Sequence, residues 1–311
     1  MNEQKVVTMR TGFATTTRGL NRNSPPYRLF EKAKRLGTWN ASDIDFSQDR
    51  ADWQTLNEEE QQWLVGHMSA FIAGEEAVTL DILPLIRTIA KEGRVEEEMF
   101  LTTFLFEEAK HVDFFWQFLE QVVMRDGNFP VDSLAAHHGD NYHYIFYRAL
   151  PEALQALETD TSPAAQVRAS VIYNMIIEGV MAESGYARWF HALRGKNIMP
   201  GLQQGLELIK RDESRHIAYG FFLLSRLIAA DDSLWDVAEA TFAEMKPYVA
   251  SDEEPVPEGP QVFDLHNVSP TFLQRSLYEK RLDRLRRARG ASMKSIYEQT
   301  NRVIDQGEDG E

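Results

Sequence analysis

Two Glu-x-x-His pairs, Glu108-Ala-Lys-His111 and Glu213-Ser-Arg-His216, lie inside stretches of helical periodicity, and each follows a further helical glutamate, Glu75 and Glu178. One pair alone means little. With eight histidines and 29 glutamates in 311 residues, about 0.75 such pairs arise by accident. The separations carry more weight, because 33 residues divide Glu75 from Glu108 and 35 divide Glu178 from Glu213. A helix-pair module is used twice. Residues three apart share one face of an α-helix, so each pair can present a carboxylate and an imidazole to one point. Two such helices plus one glutamate from each of two others match a known two-metal carboxylate pattern. The candidate ligands are therefore Glu75, Glu108, His111, Glu178, Glu213 and His216.

Helical phase places these charges where apolar residues belong. Met68, Phe71, Glu75, Val78 and Ile82 recur at the spacing of one face over a helix predicted from Glu58 to about Arg87, which Pro84 bends or ends. Leu101, Phe104, Glu108, His111, Phe115 and Phe118 form the inward row of a second helix, predicted over about 94–124. A Gly/Pro/His loop over 126–139 and a short crossing helix over 142–157 follow. Ser162 caps a helix with Pro163 at its first position, running to about Arg194. The chain restarts at Met199-Pro200-Gly201 for the helix carrying Glu213 and His216, with Leu206, Ile209, Ile217 and Phe221 on its buried side. Asp232-Ser233 caps a further helix. Pro255, Pro257 and Pro260 mark a break before a basic helix over 269–289, and 307–311 form an acidic frayed tail.

Almost no alternating period-two pattern exists, so the fold class is all-α: a ferritin-like helical bundle with a four-helix metal-binding core and extra helices. The chain reads as one domain, with an extended N-terminal arm over 1–24, a helical core with the site over 25–250 and C-terminal helices over 251–311.

Composition narrows the chemistry. There is no cysteine, which removes disulfides, iron–sulfur clusters and thiolate ligands and leaves oxygen and imidazole donors, favouring iron and manganese. A formal charge of -15 argues against nucleic acid and anionic membranes as partners, since both need clustered Lys and Arg. No apolar run approaches a membrane span, and the N-terminus lacks an apolar signal core, so the expected location is the cytoplasm. Each motif glutamate is preceded by an acid, Glu107 and Asp212, suited to receive the second N–H of a ligand histidine. Arg215 and Lys110 read equally well as ordinary paired or solvated charges. His67, His137, His138, His143, His191 and His266 have no matched partner and read as structural.

Trp39-Asn-Ala-Ser-Asp-Ile-Asp-Phe-Ser-Gln-Asp49, the Glu108/His111 motif and Arg211-Asp-Glu-Ser-Arg-His216 resemble the small subunit of class I ribonucleotide reductase over roughly residues 27–230. More closely, Gly74-Glu-Glu-Ala-Val78 and Tyr173-Asn-Met-Ile-Ile-Glu-Gly179 resemble the ligand-binding oxidases similar to that subunit. The resemblance implies a homodimer with a mixed Mn/Fe site: Mn held by Glu75, Glu108 and His111, Fe by Glu178, Glu213 and His216, with Glu108 bridging and an Fe/Fe pair as the alternative. It also implies a long-chain fatty acid, or similar amphiphile, with its carboxylate at the metals. The implied reaction is an O2-driven two-electron oxidation joining a valine β-carbon to a tyrosine oxygen, at Val78 and Tyr173 here. Trp39 and Asp212 match the reductase electron route toward His111. Helical phase puts Phe71, Phe104, Ala182 and Tyr186 around the ligand pocket.

Two other functions remain open at this stage, a radical-generating reductase subunit and a ferritin-type metal store. The position four residues after His111, where most reductase small subunits carry the radical tyrosine, is Phe115, and no tyrosine follows Tyr297. Both departures count against radical delivery. The elaborated C-terminal third and the Val78/Tyr173 positions count against storage.

Overall fold

The computed structural model describes residues 12–125, 130–193, 196–250 and 270–306, with only the backbone of 270–272. Among the described residues there are helices and no strands, as the periodicity requires. The first core helix, Glu58–Asp81, opens on a capping box in which Asn57 accepts from the Glu60 N–H and Glu60 accepts from the Asn57 N–H at 2.9 Å. Pro84 acts as expected. It ends this helix and sits in the first turn of the next, Leu83–Lys91.

The second core helix is Val95–Phe118, extended by a π turn over Leu119–Val123. Residues 126–129 of the anticipated loop lie outside the described residues, and its later part is not irregular but a 3-10 helix, Val131–His137. The crossing segment runs from Asp140 through Ala156. Ser162 caps the third core helix as read, its Oγ accepting from the Ala165 N–H at 3.2 Å.

That third helix departs from expectation in its middle. Pro163–Ser170 is α-helical, Val171–Ala182 is a π-helix and Glu183–Leu193 is α-helical again. Five residues make about 1.4 turns of an α-helix, so Tyr173 and Glu178 would diverge there, whereas an i to i+5 repeat returns them to one side.

The fourth core helix, Pro200–Ala230, begins after Met199 in the left-handed region at φ 50°. Its first turn is capped from a distance, because Asp49 accepts from the N–H groups of Gly201 and Leu202 at 2.9 and 2.7 Å. A Cβ on Gly201 would come within 2.8 Å of the Asp45 carbonyl oxygen, so glycine is what permits this approach.

Leu234–Val249 and Pro270–Arg286 complete the predicted set, and Met293–Gln306 adds a final helix. Asp231, rather than Asp232, supplies the turn bonds before Leu234. The N-terminal arm is not wholly extended. Ala14–Thr17 is one helical turn, and Arg18 and the Asn21 N–H clamp Glu96 at 2.7–2.8 Å. The anticipated break at Pro255, Pro257 and Pro260 and the tail at 307–311 lie outside the described residues.

The bundle packs as two apolar layers separated by charge. Met68, Phe71, Phe114, Phe115, Leu206 and Tyr186 belong to one cluster. Val78, Phe100, Phe104, Tyr173, Tyr219 and Phe221 belong to the other. Along the first, second and fourth core helices the switch from one to the other falls at Glu75, at Glu108/His111 and at Glu213/His216.

Candidate metal centre

All six predicted ligands converge in that dividing layer, and none is more than 5% exposed. Their donor atoms form two groups, Glu75/Glu108/His111/Glu213 and Glu108/Glu178/Glu213/His216, with the atoms of each within 4.8 Å of one another. His111 Nδ1 lies 3.3 Å from Glu213 Oε1, 3.4 Å from Glu75 Oε2 and 3.6 Å from Glu108 Oε2. His216 Nδ1 lies 2.9 Å from Glu108 Oε1, 3.5 Å from Glu213 Oε2 and 3.9 Å from Glu178 Oε1. Glu108 therefore gives one oxygen to each group, and Glu213 does the same.

Metal ions fit this arrangement on chemical grounds. Both oxygens of Glu108, one each of Glu178 and Glu213, and Nδ1 of both histidines are buried without a hydrogen-bond partner. Four desolvated carboxylates facing one another are strongly unfavourable unless cations compensate them, and two divalent ions match their charge.

The titration of the cluster without metal reflects the same strain. Burial pushes Glu75 up to about 8, with Glu108 and Glu213 adding repulsion. Burial also drives Glu178 well above the usual carboxylate range. Glu108 behaves oppositely: burial opposes its ionisation, yet His216 and His111 hold it below the ordinary value. Burial disfavours charged His111 and His216, but the surrounding acids raise both above the ordinary imidazole value.

The acids flanking the motifs work crosswise. Glu107, on the second core helix, faces His216 Nε2 of the fourth at 2.9 Å. Asp212, on the fourth, faces His111 Nε2 of the second at 3.4 Å. Arg215, 1% exposed, bridges Glu107 and Asp212 at 2.5 Å each, so its role is internal and not that of a solvated charge. Lys110 likewise pairs with Asp212 at 2.9 Å. Trp39 donates from Nε1 to Asp212 at 2.8 Å and stacks on His111 with ring centroids 6.2 Å apart.

Tyr173 is fully buried, and its hydroxyl lies 3.4 Å from the Val78 carbonyl oxygen. An apolar cavity of about 470 Å³ opens onto Glu75, Glu108, Glu178 and Glu213, with Val78, Phe71 and Ala182 in its wall. The expectations for the other two pocket residues need correction. Phe104 does not line this cavity; it stacks on His216 at 3.7 Å. Tyr186 lines a second, more polar cavity of about 570 Å³ that reaches Glu178 and Glu213 from the side of Arg211 and Arg281, and donates to Glu75 at 2.9 Å.

The sequence reading missed Asn174, which accepts from Ser170 at 2.7 Å and donates to Glu178 at 3.0 Å. It also missed His67 and His137 in the cavity wall; His266 lies outside the described residues. One signal could have found the cavity. Gly66 and Gly74 interrupt a helix at a cost of about 1 kcal/mol each relative to alanine, and both line it.

The ribonucleotide reductase small-chain family matches residues 28–247. An R2-like ligand-binding oxidase from Sulfolobus acidocaldarius is 36% identical, superposes with a TM-score of 0.82 and pairs 94% of this chain with 99% of its own. The chain belongs to the R2-like ligand-binding oxidases of the ribonucleotide reductase small-chain family. Two further structures, of R2-like ligand-binding oxidase variants with an anaerobically reconstituted Mn/Fe cofactor, are also similar. A tyrosine-to-phenylalanine variant is 35% identical over 96% of this chain and 98% of its own, with a TM-score of 0.74. A valine-to-leucine variant is 36% identical over 90% and 99%, with a TM-score of 0.77. The ferritin-like bundle expected from the sequence is thereby the fold of an R2-like oxidase. Among the described residues, no helix is long and apolar enough to cross a membrane.

Proposed function

We propose that this R2-like chain is an oxidoreductase that uses a Mn/Fe pair and dioxygen to oxidise a group held beside the metals, with a long-chain fatty acid or similar amphiphile in the apolar cavity. The observation that carries this reading is the opening of that cavity directly onto the carboxylates of both ligand groups. A ferritin-type store has no need of an apolar chamber at its metal layer. The related oxidases with a Mn/Fe cofactor support the choice of metals.

When bound, the metal pair supplies dioxygen binding and oxidising power. The chain supplies the setting. Glu75 and His111 would hold one ion and Glu178 and His216 the other, with Glu108 and Glu213 offering one oxygen to each, while Glu107 and Asp212 fix the imidazoles and Tyr186 orients Glu75. Phe71, Val78 and Ala182 give the cavity an apolar wall beside the carboxylates.

The proposed internal reaction joins the Val78 β-carbon to the Tyr173 oxygen. A C–H and an O–H bond are lost, one C–O bond forms, and two electrons and two protons pass to dioxygen. The support is proximity, since the buried Tyr173 hydroxyl lies 3.4 Å from the backbone carbonyl oxygen of Val78, itself buried. Phe115, stacked on Phe71 at 5.1 Å, supplies no phenol for the alternative of a stored radical. The homodimer and cytoplasmic location belong to the same reading and rest on the family resemblance and the composition.

Intact-mass measurement after anaerobic Mn/Fe loading and then exposure to air tests the reaction. The expected result is a loss of two hydrogens that is absent in Tyr173→Phe. An unchanged mass at full metal occupancy would sink the cross-link.

A further inference from the structure

The apolar cavity follows successive turns of the first core helix, from Val78 and Glu75 past Phe71 to His67 and Gln62. Glu75 and His67 are eight residues apart, about 12 Å along the helix. The end away from the carboxylates has the wrong chemistry for the methyl terminus of a simple acyl chain. Arg188 lines it, and its buried Nε has no hydrogen-bond partner. No carboxylate pairs with this guanidinium among the described residues, and the carboxylates lining the cavity are the four at the metal layer. His67 stands beside it, with Nδ1 3.0 Å from the Trp63 carbonyl oxygen. That contact places the ring proton on Nδ1 and leaves Nε2, also buried and unpartnered, as a free acceptor.

A partly desolvated guanidinium without a counter-charge is costly, and an occupant can provide the missing anion. We propose that the cavity takes a bipolar amphiphile, with one carboxylate at the metal layer and a second oxyanion-bearing end held by the Arg188 guanidinium; His67 Nε2, which can only accept, adds no bond to that oxyanion. This rests on the reading of the cavity as a lipid site and specifies the ligand class. An α,ω-dicarboxylic acid is the simplest member, a planar carboxylate being the natural partner of a guanidinium.

The test uses the full chain loaded with Mn and Fe, as wild type, Arg188→Leu and Arg188→Lys. Dissociation constants are measured for linear monocarboxylic acids and for α,ω-dicarboxylic acids of equal length, in a series bracketing the about 12 Å span. A charge-assisted hydrogen bond to the second carboxylate predicts that wild type prefers the best-fitting diacid by about tenfold or more. That preference disappears in Arg188→Leu and is partly restored in Arg188→Lys, while monocarboxylate affinity stays unchanged and shows that the variants are folded. Equal affinities in wild type, a determination that needs no variant, or a preference that survives Arg188→Leu, overturns the proposal while leaving the lipid site standing. Failure of wild type to bind either series overturns both.

Discussion

His216 Nε2 and Glu107 Oε2 lie 2.9 Å apart across two facing helices, and the same carboxylate is tied to Arg215 through its other oxygen. Glu107 thereby fixes which imidazole nitrogen carries the proton and leaves Nδ1 for metal. Glu107→Gln keeps the shape but removes the charge that makes the imidazole a better ligand. The expected result is a loss of metal affinity of about 10–100-fold, felt first in the His216 group. Asp212→Asn should act first on the His111 group through the 3.4 Å contact. Competition titration against a chelator checks both, and unaltered affinity in Glu107→Gln would remove the orienting role.

Sharing of carboxylates gives the second prediction. Glu108 and Glu213 each split their oxygens between the two groups, whereas Glu75 serves only the first. Glu108→Ala and Glu213→Ala should each reduce occupancy of both sites, and Glu75→Ala mainly that of the His111 group. Metal analysis of the purified variants decides this. Selective loss of one ion in Glu213→Ala would mean that Glu213 serves a single site.

Much of this centre is legible in the sequence because its residues obey one helical period. Glu75, Glu108/His111 and Glu213/His216 interrupt apolar stripes at positions that phase alone assigns to the interior. The crosswise pairing of Glu107 with His216 and Asp212 with His111 is not legible, because it depends on which helices face each other. The π segment over Val171–Ala182 is equally hidden: its run of apolar residues suits an α-helix as well, and buried neighbours rather than local propensity select the wider repeat. Phe104 was misplaced because helical phase identifies the buried face but not which of its residues meets a cavity and which meets an imidazole.

The third prediction concerns pH. Glu75, raised to about 8 by burial, binds its proton more tightly folded than unfolded, so its contribution to stability falls as pH rises from the ordinary glutamate value toward 8. Glu178 is raised in the same direction by burial. Raised histidines contribute stability below their unfolded value and lose it as pH passes their folded values. All four shifts therefore destabilise the metal-free protein with rising pH over this range. Metal ions must displace those protons, so loading releases acid and apparent affinity climbs with pH. Melting temperatures should fall between about pH 6 and 8 without metal and change little with it. Metal titrations showing equal affinity at both pH values and no proton release would contradict this.

The fourth prediction sets two opposing effects against each other at Gly205, inside the fourth core helix. Glycine to alanine in a helix interior ordinarily stabilises by about 1 kcal/mol. Here an added Cβ would meet the Phe114 ring at 1.9 and 2.0 Å, well inside contact distance. Phe114 is fully buried and held by Trp39, Phe46 and Phe115 with ring centroids 5.2–6.3 Å away, so it cannot swing clear without disturbing the indole that bonds Asp212. Overpacking of such a site costs about 1–3 kcal/mol or more, and at this degree of overlap it outweighs the helical gain. Gly205→Ala should lower stability by roughly 1–2 kcal/mol net in denaturant unfolding of the metal-loaded protein. An unchanged or raised midpoint would show that the helix and the aromatic cluster can move apart, and that the close approach at Gly205 does not fix the position of Trp39.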